Sequence, residues 1–189
     1  AHFAAQSQTT PLGSSKELQN SLQQAKELES NGDLNGALSI YNKTATAYWV
    51  NGKLTEARDI FLKAASVAEK LGNQNALKVI YTNLGMVFVD LEQYSEAIAQ
   101  FEKSLAINRS QKNKAETTAT LINIANAYKE LDKYQKALDY AEQANTIALE
   151  INDAKLLRNT YSLLAEIHEA LGNSEKSSEY FSLYTAFSR

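Results

Sequence analysis

A phrase of small and apolar residues returns along this chain at a constant spacing. Its small positions are Ala57, Ala97, Ala137 and Ser177, and a Phe or an Ala stands four residues after each of them. An earlier copy at Ala37 precedes Ala57 by half of this period. Self-similarity on this scale predicts a stack of structural repeats, in which each repeat is one supersecondary unit that its neighbours cover. The period therefore constrains the fold more strongly than any single motif.

A second phrase precedes each copy of the first. It reads Tyr81, Leu84, Gly85 and Phe88, and it returns one and two periods later and, more weakly, one period earlier. Apolar residues at positions i, i+3, i+4 and i+7 mark one face of a helix. Two helices approach closely only where a side chain is nearly absent, so we expect the Gly or Ala in the middle of this face to mark a helix crossing. Each repeat is therefore predicted to be a pair of antiparallel helices.

Residues that break helices are scarce in this chain, which has one Pro and seven Gly among 189 residues. A chain of this composition favours helix nearly everywhere. The two phrases together predict about nine helices, near residues 15–31, 34–51, 54–71, 74–91, 94–110, 114–131, 134–151, 154–171 and 174–188.

Three features recur together: a Leu-Gly or Ile-Ala pair, the aromatic residue after it and the small positions of the following helix. In this combination, residues 34–189 resemble the tetratricopeptide repeat. The resemblance implies an all-α fold, a right-handed superhelix of antiparallel helix pairs. The chain departs from the common pattern because its period is 40 rather than roughly 34 residues, and because the Pro that ends the common repeat is missing. Variants of this length resemble scaffold proteins that clamp extended peptides and the N-terminal sensor regions of some bacterial histidine kinases.

The repeats predict one helical domain over 15–189. We expect a half-repeat at 15–33 and full repeats near 34–73, 74–113, 114–153 and 154–189. Residues 1–14 differ from the rest, and two interpretations compete: a flexible tail, or a signal-peptide remnant, since small residues stand at 5 and 7 before Gln8. The second interpretation favours an exported or periplasmic protein, and the first a cytoplasmic one. The aromatic pattern still runs at the last residues, which predicts that the chain is part of a longer protein.

The chemistry of an enzyme is not evident in the sequence. There is no Cys, no Gly-rich phosphate loop and no Ser in a nucleophile elbow. His168 stands where other repeats have an aromatic residue, so it is predicted to be a packed core residue rather than a base or a metal ligand. We therefore expect neither catalysis, nor a cofactor, nor a metal. The net charge of −3 and a pI near 5.5 argue against nucleic acid as a partner, and no apolar run is long enough for membrane insertion.

The resemblance implies that the first helix of each pair lines a concave groove. The register predicts the peptide-binding residues of this groove to be Asn42, Trp49, Val79, Asn83, Met86, Asn123, Asn126, Glu130, Ser162 and Glu166.

Asn83 and Asn123 occupy the same place in successive repeats. An amide carries two donors and an acceptor, so a row of Asn can pair with the backbone of an extended peptide whatever its sequence. The alternative is that these Asn are polar surface or bond to a neighbouring helix. Trp49, Val79 and Met86 make the amino-terminal part of the groove apolar, unless Trp49 and Val79 merely pack between repeats. The carboxy-terminal part is expected to be acidic.

These features predict a protein-interaction module that binds an extended peptide or partner segment. An alternative is the extracytoplasmic sensor or dimerisation region of a bacterial signalling protein such as a histidine kinase. Self-association into a homodimer through the last helix is a third interpretation.

Overall fold

The computed structural model describes residues 13–189, and this part of the chain is almost entirely α-helical. The described residues form nine helices: α1 (Ser15–Ser30), α2 (Leu34–Val50), α3 (Leu54–Leu71), α4 (Gln74–Asp90), α5 (Tyr94–Ser110), α6 (Lys114–Glu130), α7 (Tyr134–Ile151), α8 (Ala154–Ala170) and α9 (Ser174–Phe187). Each begins at the residue that the sequence predicts, and each ends within one residue of its predicted end. The predicted tail or signal remnant at 1–14 lies almost wholly outside the described residues.

An Asp or Asn caps the start of the first helix of every pair. Asp33, Asn73, Asn113 and Asp153 each accept a hydrogen bond from the backbone N–H three residues later. Such a cap satisfies one of the N–H groups that a helix leaves without an internal partner. The caps recur once in every repeat, so the period fixes the helix starts as well as the packing.

A residue in the left-handed conformation follows each helix from α1 to α8. Gly occupies this place at Gly32, Gly52, Gly72 and Gly172, whereas Glu92, Lys112, Asp132 and Asn152 occupy it in the middle of the chain. A left-handed residue ends a helix sharply and turns the chain back on itself. Within each unit, the short turns that result return the chain along the preceding helix, and consecutive helices pack against each other.

The described chain forms two compact units, 13–93 and 94–189. In unit 1, α1 packs against α2, α2 against α3 and α3 against α4. Tyr41 and Phe61 are fully buried in this unit. The Tyr41 hydroxyl donates to Glu29 at 2.8 Å. Burial together with this hydrogen bond raises the pKa of Tyr41 to about 12, so the phenol stays protonated and the link between α1 and α2 persists at neutral pH.

In unit 2, the five helices α5–α9 pack in sequence order. The small residues Ala125 and Ala137 are fully buried in one cluster between α6 and α7, as expected for a helix crossing. α8 covers this cluster with Leu163, Leu164 and Ile167. α9 packs against α8, but it has no buried residue of its own.

Candidate functional site

One stripe of α4 carries the apolar residues and the amide that the sequence places in the groove of unit 1. Val79, Asn83 and Met86 lie at positions i, i+4 and i+7 and therefore share a face of the helix. Val79 is 53% exposed, and Asn83 and Met86 are half-buried. Within the described residues, the Asn83 side chain has no hydrogen-bond partner. The stripe therefore presents an amide, with donors and acceptor available, between two apolar side chains.

Trp49 connects α2 to α4 in the same unit. Its Nε1–H donates to a carboxylate oxygen of Asp90 at 2.6 Å, and its ring meets Phe61 edge-on with centroids 6.3 Å apart. The indole is thus held by two neighbours within unit 1, and its role in peptide binding stays a prediction. Asn42 is half-buried on α2, where its backbone carbonyl accepts a hydrogen bond from Thr46 at 2.8 Å.

The corresponding face of unit 2 carries two amides in different situations. Asn123 is half-buried on α6, and its side chain has no hydrogen-bond partner among residues 13–189. The Asn126 amide donates to the backbone carbonyl of Ile122 at 3.1 Å. The Asn126 amide is therefore partly engaged by its own helix, whereas the Asn123 amide is available to bond to other groups.

The acidic character predicted for this part of the chain is weaker in the structure. Glu166 of α8 forms an ion pair with Lys129 of α6, and the Ser162 hydroxyl approaches the same carboxylate at 3.5 Å. Lys129 thus neutralises Glu166, and Ser162 belongs to the same network. Glu130 and Glu169 remain exposed at the ends of α6 and α8. The sequence placed these residues on one face but did not indicate the link, because the pairing depends on which side chains of adjacent helices meet.

His168 lies in the core of unit 2, where its side chain is only 4% exposed. Its ring stacks on Tyr180, with 5.6 Å between centroids and an angle of 10°. Burial lowers the pKa of His168, and the nearby Lys176 lowers it further, while Glu142 acts in the opposite direction. The imidazole is a packed aromatic ring, as the repeat register predicts.

Two further features bear on the kind of site that is present. In residues 13–189, the structure brings together no group of three His, Asp or Glu side chains that could hold a metal ion. None of the helices in this part of the chain is both long and apolar enough to cross a membrane.

The described chain consists of paired helices with small residues at their crossings, and the first helix of each pair contributes to a face. This arrangement defines a helical repeat protein. The model of the family described as "Tetratricopeptide repeat" matches residues 36–110 and 113–188. The chain therefore belongs to the tetratricopeptide repeat family.

Comparisons with individual proteins agree with this family assignment. The chain is 35% identical over 95 residues to anaphase-promoting complex subunit 6 of Arabidopsis thaliana. The aligned residues cover 50% of the chain and 16% of that protein. It is 32% identical over 102 residues to the regulatory protein RapF of Bacillus subtilis. The aligned residues cover 54% of the chain and 27% of RapF. The chain thus spans less than a third of the length of these relatives.

Among solved structures, BtubC from P. vanneervenii superposes with a TM-score of 0.78 at 20% identity, which covers 90% of this chain and 70% of BtubC. At this identity the likeness shows the fold alone.

The family and its relatives identify the chain as a protein–protein interaction module. Members of this family are typically scaffolds rather than enzymes.

Proposed function

We propose that the face of unit 1 formed by α2 and α4 binds an extended peptide segment of a partner protein. The observation that carries the proposal is the stripe on α4, where Asn83 has no partner within the described residues and lies between Val79 and Met86. A peptide backbone offers an N–H and a carbonyl at every residue. The Asn83 amide supplies the complementary acceptor and donors.

An apolar side chain of the ligand supplies the second part of the recognition. Val79 is 53% exposed and Val50 is 49% exposed, and Met86 is a flexible, polarizable side chain that adapts to different ligands. Burying one ligand side chain against this surface contributes on the order of 1.5–3 kcal/mol. Because Trp49 is held by Asp90 and Phe61, it forms a rigid wall of this face and is already in place before the ligand arrives.

Asn123 gives unit 2 a comparable point of attachment. It occupies the place of Asn83 one repeat later, and its side chain likewise has no partner in the part of the chain that the structure describes. The neighbouring charges are those of Glu130 and of the Lys129–Glu166 pair. This face therefore suits a polar or basic segment, whereas that of unit 1 suits an apolar one.

A selection from a random peptide library tests the proposal. Peptides enriched on the intact chain are expected to share an apolar residue, and a parallel selection on a Val79→Glu variant is expected to lose that preference. Leu62→Glu is the matched control, because Leu62 is 45% exposed on α3, away from this face. Enrichment that is the same on all three proteins would refute the proposed face.

We also propose a second role, as the sensing part of a signalling protein. The match to RapF, a regulatory protein, favours this role, and it is compatible with peptide binding because a sensor can respond to a peptide. The full reading frame tests it: a kinase or other output domain in the same protein supports the proposal, and a reading frame without any output domain contradicts it.

A further inference from the structure

Met86 is the one methionine of this chain, and the chain has no cysteine. Thiolates and thioethers are the side-chain sulfur groups that oxidants attack. A peroxide therefore finds a single sulfur target among these 189 residues. Met86 lies in the stripe of α4 that is proposed to contact a peptide, so a change in its chemistry acts on that face directly.

The position of Met86 on α4 leaves its side chain within reach of a small oxidant. Met86 is half-buried, and Val79, two turns earlier on the same stripe, is 53% exposed. The opposite face of the helix carries Leu84, Val87 and Phe88, which are buried. Solvent therefore reaches the stripe that carries Met86, whereas it does not reach the core face of the same helix.

Trp49 is the other oxidisable side chain of this face. Its Nε1–H is bonded to Asp90, and its ring packs edge-on against Phe61. An indole also reacts with a peroxide more slowly than a thioether does. A mild peroxide treatment is therefore directed to Met86.

The reaction adds one oxygen atom to the sulfur of Met86 and consumes one molecule of peroxide. A lone pair of the sulfur attacks one oxygen of hydrogen peroxide, so that an S–O bond forms and the O–O bond breaks. The departing hydroxide takes the proton of the transferred oxygen and leaves as water. The thioether is thus oxidised by two electrons and the peroxide is reduced by two. The product, methionine sulfoxide, is polar and chiral, and sulfoxide reductases convert it back to methionine.

Oxidation of Met86 changes the peptide face in two ways. The flexible apolar thioether becomes a polar group, and burying that group against an apolar ligand residue without a hydrogen-bond partner is unfavourable. Asn83 precedes Met86 by three residues, so the two side chains are neighbours on the helix surface. The sulfoxide oxygen is an acceptor for the Asn83 amide, which is then engaged before a peptide arrives.

We propose that Met86 is a reversible oxidation site, and that its oxidation by a peroxide lowers the affinity of the α4 stripe for apolar peptide segments. The inference rests on the proposed peptide function and adds its regulation. The reduced chain binds the peptide, the sulfoxide form binds it weakly, and a reductase restores binding.

Hydrogen peroxide treatment of the intact chain tests the proposal. Mass spectrometry is expected to find one added oxygen, in the tryptic fragment 79–103 that contains Met86. The peroxide is then removed, and fluorescence anisotropy measures binding of a peptide selected on the untreated chain. Oxidation is expected to weaken this binding by about tenfold or more, with unchanged helical content by circular dichroism. Treatment with the two methionine sulfoxide reductases, one for each sulfur epimer, is expected to restore the original affinity.

Two variants serve as controls, each compared with itself before and after peroxide. Met86→Leu has no sulfur, and whatever its own affinity, that affinity is expected to be the same after treatment. Met86→Leu combined with Leu62→Met moves the methionine to α3, at a position that is 45% exposed and away from this face. The double variant is expected to gain one oxygen without any loss of affinity.

Four results would overturn the proposal. They are an unmodified Met86 after peroxide, an oxidised chain that binds as tightly as the reduced one, an equal loss of affinity in the Met86→Leu variant, and a loss of helical content on oxidation, which would assign Met86 a structural role. Failure of the untreated chain to bind any selected peptide would instead refute the proposed peptide function, and the regulation with it. Unchanged binding by the oxidised chain refutes the regulation alone, so the two failures are distinguishable.

Discussion

His168 packs its imidazole flat against Tyr180 at the junction of α8 and α9. Burial disfavours the charged form of the ring, so the pKa of His168 in the folded chain lies below the ordinary value of 6.5. Below about pH 6.5 the unfolded chain therefore binds a proton that the folded chain does not bind. The free energy of unfolding consequently decreases as the pH falls through this range.

The variant His168→Phe is expected to lose this pH dependence. An aromatic residue of similar size fills the same place in other repeats, so the free energy of unfolding at neutral pH is expected to change by less than about 1.5 kcal/mol. Urea unfolding at about pH 7.5 and about pH 5.5 measures the difference between the two proteins. His2 is present in both and cancels. Equal losses of stability on acidification in both proteins would mean that His168 titrates normally.

At the scale of the helices, the fold depends on small residues at the crossings. Ala137 is fully buried in the cluster that it forms with Ala125 between α6 and α7. Ala137→Leu is expected to overpack this crossing and to lower the free energy of unfolding by about 1–3 kcal/mol. Gly85 is buried at the equivalent kind of position on α4, and Gly85→Leu is expected to behave alike.

Substitutions at two exposed positions, the N-cap of α7 and the first turn of α5, serve as controls for this prediction. Lys133 and Glu96 are exposed, so Lys133→Ala and Glu96→Ala are expected to change the free energy of unfolding by less than about 0.5 kcal/mol. Chemical denaturation of the four variants gives the comparison. Similar losses at crossings and at exposed positions would contradict the assigned register.

The helices could be predicted because their signals are local and recur. The spacing of Tyr81, Leu84, Gly85 and Phe88 defines a helix face by itself, and its return in each following repeat removes the ambiguity of a single match. The same repetition placed His168 in the core. These predictions needed no knowledge of how adjacent helices meet.

The links between adjacent helices could not be predicted in the same way. The Trp49–Asp90 pair spans 41 residues and the Lys129–Glu166 pair spans 37 residues, so the two links do not follow the period. Which side chain reaches which neighbour depends on side-chain length and on the local helix approach. For this reason the sequence predicted Trp49 and Glu166 to be groove residues but did not predict the contacts that they make with Asp90 and Lys129.

At the scale of the whole chain, membership of the tetratricopeptide repeat family gives a general function and leaves the ligand to be identified. Each unit has its own face built from the first helices of its pairs. Within these faces, much of the polar surface is already used: Asp90 by Trp49, Glu166 by Lys129 and Asn126 by its own helix. The amides that remain available in the described residues include those of Asn83 and Asn123.

Asn83→Ala and Asn123→Ala therefore test the proposed peptide binding at the level of the intact protein. If each amide pairs with a ligand backbone, either change leaves a partner group without its hydrogen bond and is expected to weaken binding by about 1–3 kcal/mol. The melting temperature is expected to stay nearly constant, because neither side chain bonds to another described residue. Asn20→Ala, at an exposed position of α1, is the matched control, and calorimetric titration with a selected peptide is the measurement. A large loss of stability with unchanged binding would show instead that both Asn are structural and that the ligand binds elsewhere.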